Sequence, residues 1–360
     1  MEFVIELLLA ISIPLLFLVI IRQLDFYQTG QFRTILLSLA LGGIAYAPAA
    51  LLNGSLINSG LMQEDLVKHF IAPVTEEVLK GLFLLYLVRR SKLTYSVDGA
   101  LYGFATGIGF AIFENIENIS RVNSLEEILL RILSTNLVHA FSSAAIGIAL
   151  GIFLLRPHRS RWLILTGGLF VAIGQHMIFN IMETGIHPII KILPGLIGML
   201  FIYSIMQHGR KQAQTWIREK LEAEKHITRN EAAAVNRLPY TEDILLPVAE
   251  RFGAKKTEQV EKLLYLQARI GIKRKALDGF RKNDTARKDL EAEINEMRAK
   301  MKKTQREIGV YVMLFVRGLF TDEMVSVWDR MQAKIQERSA ASGGQKGGGL
   351  WSSLDERVKS

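Results

Sequence analysis

The chain has 360 residues, is 49 % apolar, contains no cysteine and carries a formal net charge of +9. The lack of cysteine excludes disulfides, thiolate metal sites and cysteine nucleophiles together. Of its 44 basic and 35 acidic residues, 13 of each lie within residues 1–206, so the remaining 31 basic and 22 acidic residues place the whole excess after residue 206. The two parts belong to different solvents. A basic segment beside a membrane reads as cytoplasmic retention and attraction to anionic lipid, and nucleic acid is not an expected partner.

The sequence begins Met1-Glu2, without a basic leader or a small-residue cleavage site, and reads as a retained span and not as a signal peptide. A span needs about 20 mainly apolar residues. Seven segments qualify, at residues 3–21, 34–52, 70–88, 97–118, 132–155, 162–182 and 188–206. Basic residues concentrate in alternate connections: Arg22 and Arg33, then Arg89, Arg90 and Lys92, then Arg156, Arg159 and Arg161, then Arg210 and Lys211. The positive-inside bias therefore puts the N-terminus outside the cell and the C-terminal part in the cytoplasm. Gly103, Gly107, Gly109, Gly147 and Gly151 have the spacing that lets membrane helices approach closely. Pro73 and Pro194 fall where they can free backbone carbonyls within a span.

From Gln207 the chain is polar and helical in pattern. Residues 211–235, 257–280 and 284–309 carry apolar positions at helical spacing. The apolar run Val310 to Phe320 is too short to span and contains Arg317, which suits the core of a small helical bundle. After Ser339 the chain turns to Gly, Ser, Ala and Lys, the composition of a flexible end. The expected fold is all-α: a polytopic membrane helical bundle of about seven transmembrane helices (1–206), a soluble cytoplasmic helical domain (207–338) and a tail (339–360).

Costly polar groups sit inside four of the spans. Glu76, Glu77 and Lys80 lie in the third, Glu114, Asn115, Glu117 and Asn118 in the fourth, His139 in the fifth, and His176 with Asn180 in the sixth. An ionised group at the centre of a span costs roughly 2.5 kcal/mol or more, which makes such residues functional candidates. From the helical rise, Glu76, Glu114, His139 and His176 all lie roughly 6 to 10 Å from the outer ends of their spans. Four helices thus bring ionisable groups to one layer. Glu76 and Lys80 are four apart and share a face, whereas Glu77 points about 100° away. Carboxylates, imidazoles and an amide in one layer can activate water and stabilise an oxyanion, the chemistry of hydrolysis.

The residues resemble a known family at this point. Glu76-Glu77-Val78-Leu79-Lys80 is similar to the EExxK motif of PrsW-type intramembrane proteases, and Phe110 to Glu114 resembles their FxxxE motif, with His139 and the pair His176 and Asn180 following on later spans. More distantly, the order resembles that of the CAAX prenyl protease and bacteriocin-processing superfamily, with Glu114 where that group has histidine. The resemblance covers residues 65–206. It implies Glu76 as general base, Glu77, Glu114 and His139 beside it, and His176 with Asn180 stabilising the oxyanion. No cofactor is required by that scheme. If Zn²⁺ is bound, the ligands are Glu76, Glu114, His139 and His176. Other classes find no support: HExxH is absent, no aspartate lies mid-span, and no serine nucleophile motif occurs.

The expected activity is an intramembrane peptidase in the plasma membrane, cutting a single-span membrane protein near its extracytoplasmic face. By resemblance, the cut is the first cleavage of an anti-sigma factor in stress signalling. A cytoplasmic partner for the C-terminal domain is a further expectation. The competing readings are a proton-coupled transporter or channel using the Glu/His layer, and a membrane scaffold without enzymatic activity.

Overall fold

The structure is a computed structural model, and it describes residues 2–89, 95–119, 124–155, 160–183, 187–221, 227, 235, 241–280 and 285–318. The expected flexible end, 339–360, and the connecting residues Arg90, Lys92, Arg156 and Arg159 lie outside the described residues. Among the described residues the regular structure is entirely helical, confirming an all-α polytopic bundle. The helices are α1 (Glu2–Gln23), α2 (Phe32–Asn58), α3 (Ala72–Arg89), α4 (Ser96–Asn118), α5 (Leu125–Leu155), α6 (Ser160–Glu183), α7 (Ile192–Leu221), α8 (Thr241–Leu277), α9 (Thr285–Ile308) and α10 (Val310–Gly318). A short helical segment, Glu64–Leu66, and a π-helical turn, Val67–Ile71, lead into α3.

Among the described residues six helices, α1, α2, α4, α5, α6 and α7, are long and apolar enough to cross a membrane. The seventh expected span, α3, has the length but carries Glu76, Glu77 and Lys80, and it packs against four of the six, α2, α4, α5 and α6. Its polarity is turned inward, as the burial of Glu77 and Lys80 shows.

The small, apolar sequence of α4 puts it at the centre. Every residue from Ser96 to Ala111 is buried, and α1, α2, α5 and α7 pack around it. Outer helices instead expose large apolar side chains such as Leu51, Leu163, Phe170 and Leu200, as faces toward lipid should. The α4 and α5 backbones touch, with Gly99 against Gly147 and Gly107 against the carbonyl of His139. A side chain at Gly107 would collide with that carbonyl oxygen.

At the other end of the bundle, α8, α9 and α10 form a charged helical layer. α7 runs unbroken through the expected boundary at residue 206 and meets α8, where Lys275 binds Glu219 at 3.1 Å and the Arg274 guanidinium donates to the Lys220 carbonyl at 2.7 Å. Gly253, at φ 77°, breaks α8 into two arms. Val312, Met313 and Val316 of α10 are buried, consistent with the short apolar run serving as core.

The turn between α1 and α2 is built on Asp25. Its carboxylate accepts from the backbone N–H of Thr29 (3.1 Å) and Gly30 (2.8 Å), and from the Thr29 hydroxyl (3.2 Å). Burial, then the neighbouring Asp98, pushes the Asp25 carboxyl up to about 6, against the three hydrogen bonds that favour ionisation.

Two outcomes are expected. Gly107→Ala should force α4 and α5 apart at the turn bearing His139 and lower stability by about 1–3 kcal/mol, read as a depressed melting temperature, whereas Gly174→Ala, where an added methyl meets nothing, should not. Because Asp25 holds its proton more tightly when folded, the native state binds more protons between about pH 4 and 6, and stability should fall by about 3 kcal/mol as pH rises through that window. Asp25→Asn should flatten this part of the melting-temperature profile.

Candidate active site

The polar groups of α3 to α6 meet at the end of the bundle remote from α8 and α9. Their centre is the ammonium of Lys80, fully buried on α3. It donates to Glu77 Oε1 at 2.6 Å and to His139 Nδ1 at 2.8 Å, and it lies 4.3 Å from the centroid of the Phe110 ring. The sequence pattern pointed to Glu76 as the partner of Lys80, four residues away. The structure bonds Lys80 to Glu77, three residues away, because that carboxylate turns into the bundle with it. Glu76 is thereby left without a bonded ammonium.

The histidine tautomers follow from these partners. An ammonium only donates, so His139 Nδ1 accepts and its Nε2–H points to Glu114 Oε2, at 2.5 Å. A carboxylate only accepts, so His176 Nδ1 donates to Glu77 Oε1 at 2.9 Å and leaves the Nε2 lone pair open. That lone pair faces Glu76 Oε2 at 3.8 Å, too far for a hydrogen bond. Glu76 Oε2 is buried and has no hydrogen-bond partner. The two histidine rings meet edge to face, with centroids 4.7 Å apart. A buried carboxylate oxygen and an imidazole lone pair therefore face a common gap.

The other expected residues take different positions. Glu114 lies beside His139 and also 3.4 Å from Arg131 of α5. Asn180 does not join the central gap: its amide donates to the backbone carbonyl of Lys68 at 2.8 Å. The cause is Pro73. In the π-helical turn the Ala72 N–H reaches back to the Val67 carbonyl, and the next donor in that register would be Pro73, which has none. The Lys68 carbonyl is left for Asn180 to satisfy, fixing α6 to the entry of α3. Glu117 is exposed, and the Asn118 amide donates to the Glu114 carbonyl one turn back.

Asn53, Thr75 and Arg131 were missed as participants in the sequence. Asn53 falls just past the expected end of the second span at residue 52, but α2 continues to Asn58 and carries it to the site. There the Thr75 hydroxyl donates to Asn53 Oδ1 at 2.8 Å, and Asn53 Nδ2 reaches Glu76 Oε1 at 3.5 Å, which directs the other carboxylate oxygen toward His176. Arg131 falls just before the expected fifth span at 132–155, but α5 begins at Leu125 and takes it into the helix. The available signal was its helical register with His139: the two lie near one face of α5, so both can reach Glu114.

Glu76, His139 and His176 each offer one ligand atom, all within 4.8 Å of one another. The unpartnered Glu76 oxygen and the open His176 lone pair, backed by the Glu77 carboxylate, suit a divalent ion such as Zn²⁺. For His139 to take part, its Nε2 must exchange Glu114 for the metal.

Carboxylates and imidazoles thus gather around a gap in one layer of a helical membrane bundle. Residues 30–206 match the family described as PrsW family intramembrane metalloprotease, and through this segment the chain belongs to the PrsW family. It is an intramembrane protease and a multi-pass membrane protein, acting on membrane protein substrates. No curated protein and no solved structure matches the chain.

Lys80→Met should strand the buried Glu77 carboxylate and cost about 3–5 kcal/mol of stability. Adding Glu77→Gln should recover much of that loss, and a double-mutant cycle on detergent-solubilised protein measures the coupling.

Proposed function

We propose that the chain is an endopeptidase in which a water molecule held between Glu76 Oε2 and His176 Nε2 attacks the substrate carbonyl. The observation that carries this reading is the pair of open acceptor atoms, Glu76 Oε2 and His176 Nε2, facing each other at 3.8 Å beside the Glu77 oxygen that Lys80 and His176 both bond. Glu76 takes the proton of the attacking water and returns it to the leaving amine as the peptide C–N bond breaks. His176 completes the hold on the water by accepting its second hydrogen at Nε2, and its Nδ1–H bond to Glu77 fixes the ring. The tetrahedral oxyanion calls for a hydrogen-bond donor. Asn180, one turn outward on the same helix, supplies one if the substrate backbone replaces it at the Lys68 carbonyl. Lys80 bonds and holds the Glu77 carboxylate, and His139 with Glu114 closes the other wall.

If Zn²⁺ is held by Glu76, His139 and His176, the chemistry it supplies is a more acidic water and a polarised carbonyl. Asn53 and Glu77 keep the same orienting tasks in that case.

The substrate we assign is a single-span membrane protein, cut near its extracytoplasmic face, with an anti-sigma factor as the example suggested by the family. This follows the loop-charge orientation, in which the N-terminus is outside and residues 207–338 form a cytoplasmic domain. The clustering of the site at the end opposite α8 and α9 supports it.

The test compares new protein N-termini in membranes of cells making wild type, Glu76→Gln or His176→Ala at equal levels. Both variants should lose the same extracytoplasmic cleavage, with rates down about 10²–10⁴-fold; Glu76→Gln should keep a melting temperature near wild type, whereas His176→Ala, which takes a bonded group from the buried Glu77, should melt lower. Matching cleavage profiles in all three would refute the peptidase mechanism. Metal analysis of the same purified proteins should show any resident ion reduced in His176→Ala.

A further inference from the structure

At the opposite end of the bundle, a cavity of about 690 Å³ opens between the α1–α2 turn and the helices α8 and α9. Its size falls within the usual range for small-molecule sites. One wall is cationic, with Arg33 from the first turn of α2, and Arg269 and Lys273 from α8. Lys300 of α9 completes the basic set.

Carboxylates also line the cavity, but most already have partners. Glu293 accepts from Lys273 at 3.1 Å and from the Gln31 amide at 3.2 Å. Glu296 pairs with Lys300 at 2.7 Å. The remaining carboxylate, Asp289, is exposed at the rim. Arg269 is different from the paired cations. Its Nε is buried without a hydrogen-bond partner, and its side chain lines both this cavity and an adjoining one of about 370 Å³. A buried donor without an acceptor carries a desolvation cost that an anion would remove.

The backbone adds to this field. α2 is 27 residues long, and its N-terminus has neither a side-chain cap nor an acidic residue in its first turn, while Thr29 and Gln31 beside it line the cavity. The start of such a helix favours negative charge. It also stands where α1 ends and α2 begins, at the boundary of the apolar bundle. The site is thus within reach of phospholipid headgroups as well as of the aqueous phase.

We propose that this cavity binds a phosphate group, held by the guanidinium groups of Arg269 and Arg33 at the start of α2. Two sources share this chemistry: an anionic phospholipid headgroup at the membrane surface and a soluble phosphate compound. The site joins α2 of the membrane bundle to α8 and α9 of the charged layer, so its ligand would bridge the two parts of the chain. It is separate from the peptidase residues and does not depend on their mechanism.

The experiment uses delipidated full-length protein in neutral detergent. Native mass spectrometry measures binding of phosphatidylglycerol against phosphatidylcholine, and thermal shift measures binding of inorganic pyrophosphate. The variants are Arg269→Gln, Arg269→Lys, Arg33→Gln and, as a control outside the cavity, Arg22→Gln. Arg33 is exposed, so its substitution tests the site without disturbing the core. Saturable phosphatidylglycerol binding that weakens about tenfold in Arg269→Gln and Arg33→Gln but not in Arg22→Gln supports the site with lipid as its source. The same pattern with pyrophosphate supports it with a soluble source. Arg269→Lys, which keeps the charge, should fall between wild type and Arg269→Gln. Failure of both probes to bind saturably, or equal weakening in all the glutamine variants including Arg22→Gln, overturns the proposal.

Discussion

A single ammonium ion, withdrawn from water on α3, sets the arrangement of the site. Lys80 has no exposed side-chain surface, so its charge must be met by what packs against it. Glu77 supplies the countercharge, His139 a lone pair and Phe110 an aromatic face. These contacts fix the tautomers of both histidines in turn. His139 is left with a proton to give to Glu114, and His176, anchored by Glu77, is left with a lone pair to present to Glu76. The gap between Glu76 and His176 exists because the neighbouring groups have been committed elsewhere.

This chain of commitments gives the two adjacent glutamates different tasks. Glu77 is fully buried and bonded on one oxygen by both Lys80 and His176. Glu76 keeps partial exposure, with one oxygen within reach of Asn53 and the other unpartnered. Helical geometry requires this separation, since consecutive residues point about 100° apart. One carboxylate therefore serves the interior of the bundle while the other serves the gap. Their adjacency lets one short stretch of α3 provide both the orienting group and the one facing the gap.

Much of this was legible from the expense of burying charge in a span. Glu76, Glu114, His139 and His176 stood out because lipid-facing helices do not keep such residues without cause, and helical rise placed them in one layer. The small residues of α4 likewise pointed to close helix packing, which Gly107 and its contact with His139 display. What stayed hidden was the direction of individual side chains. A four-residue spacing suits an ion pair, yet Lys80 chose the carboxylate at three because both turn inward. Asn53 was hidden for a different reason: the apolar run ends before it, whereas backbone hydrogen bonding carries α2 another turn. Pro73 signalled freed carbonyls, but only the register of the π-helical turn identifies Lys68 as the one that Asn180 satisfies.

The continuity of α7 has a mechanical consequence. Thirty residues of unbroken helix form a rod about 45 Å long. One end is clamped to α8 through Glu219 and the Lys220 carbonyl. Near its other end, Gly195 and Gly198 seat directly against Leu137 and Phe141, the residues on either side of His139 along α5. With no hinge among the helical residues between these points, a tilt imposed on the charged layer is delivered to the turn that carries a buried imidazole of the site. The bundle thus possesses a lever whose handle lies in water and whose tip rests beside the Glu/His cluster.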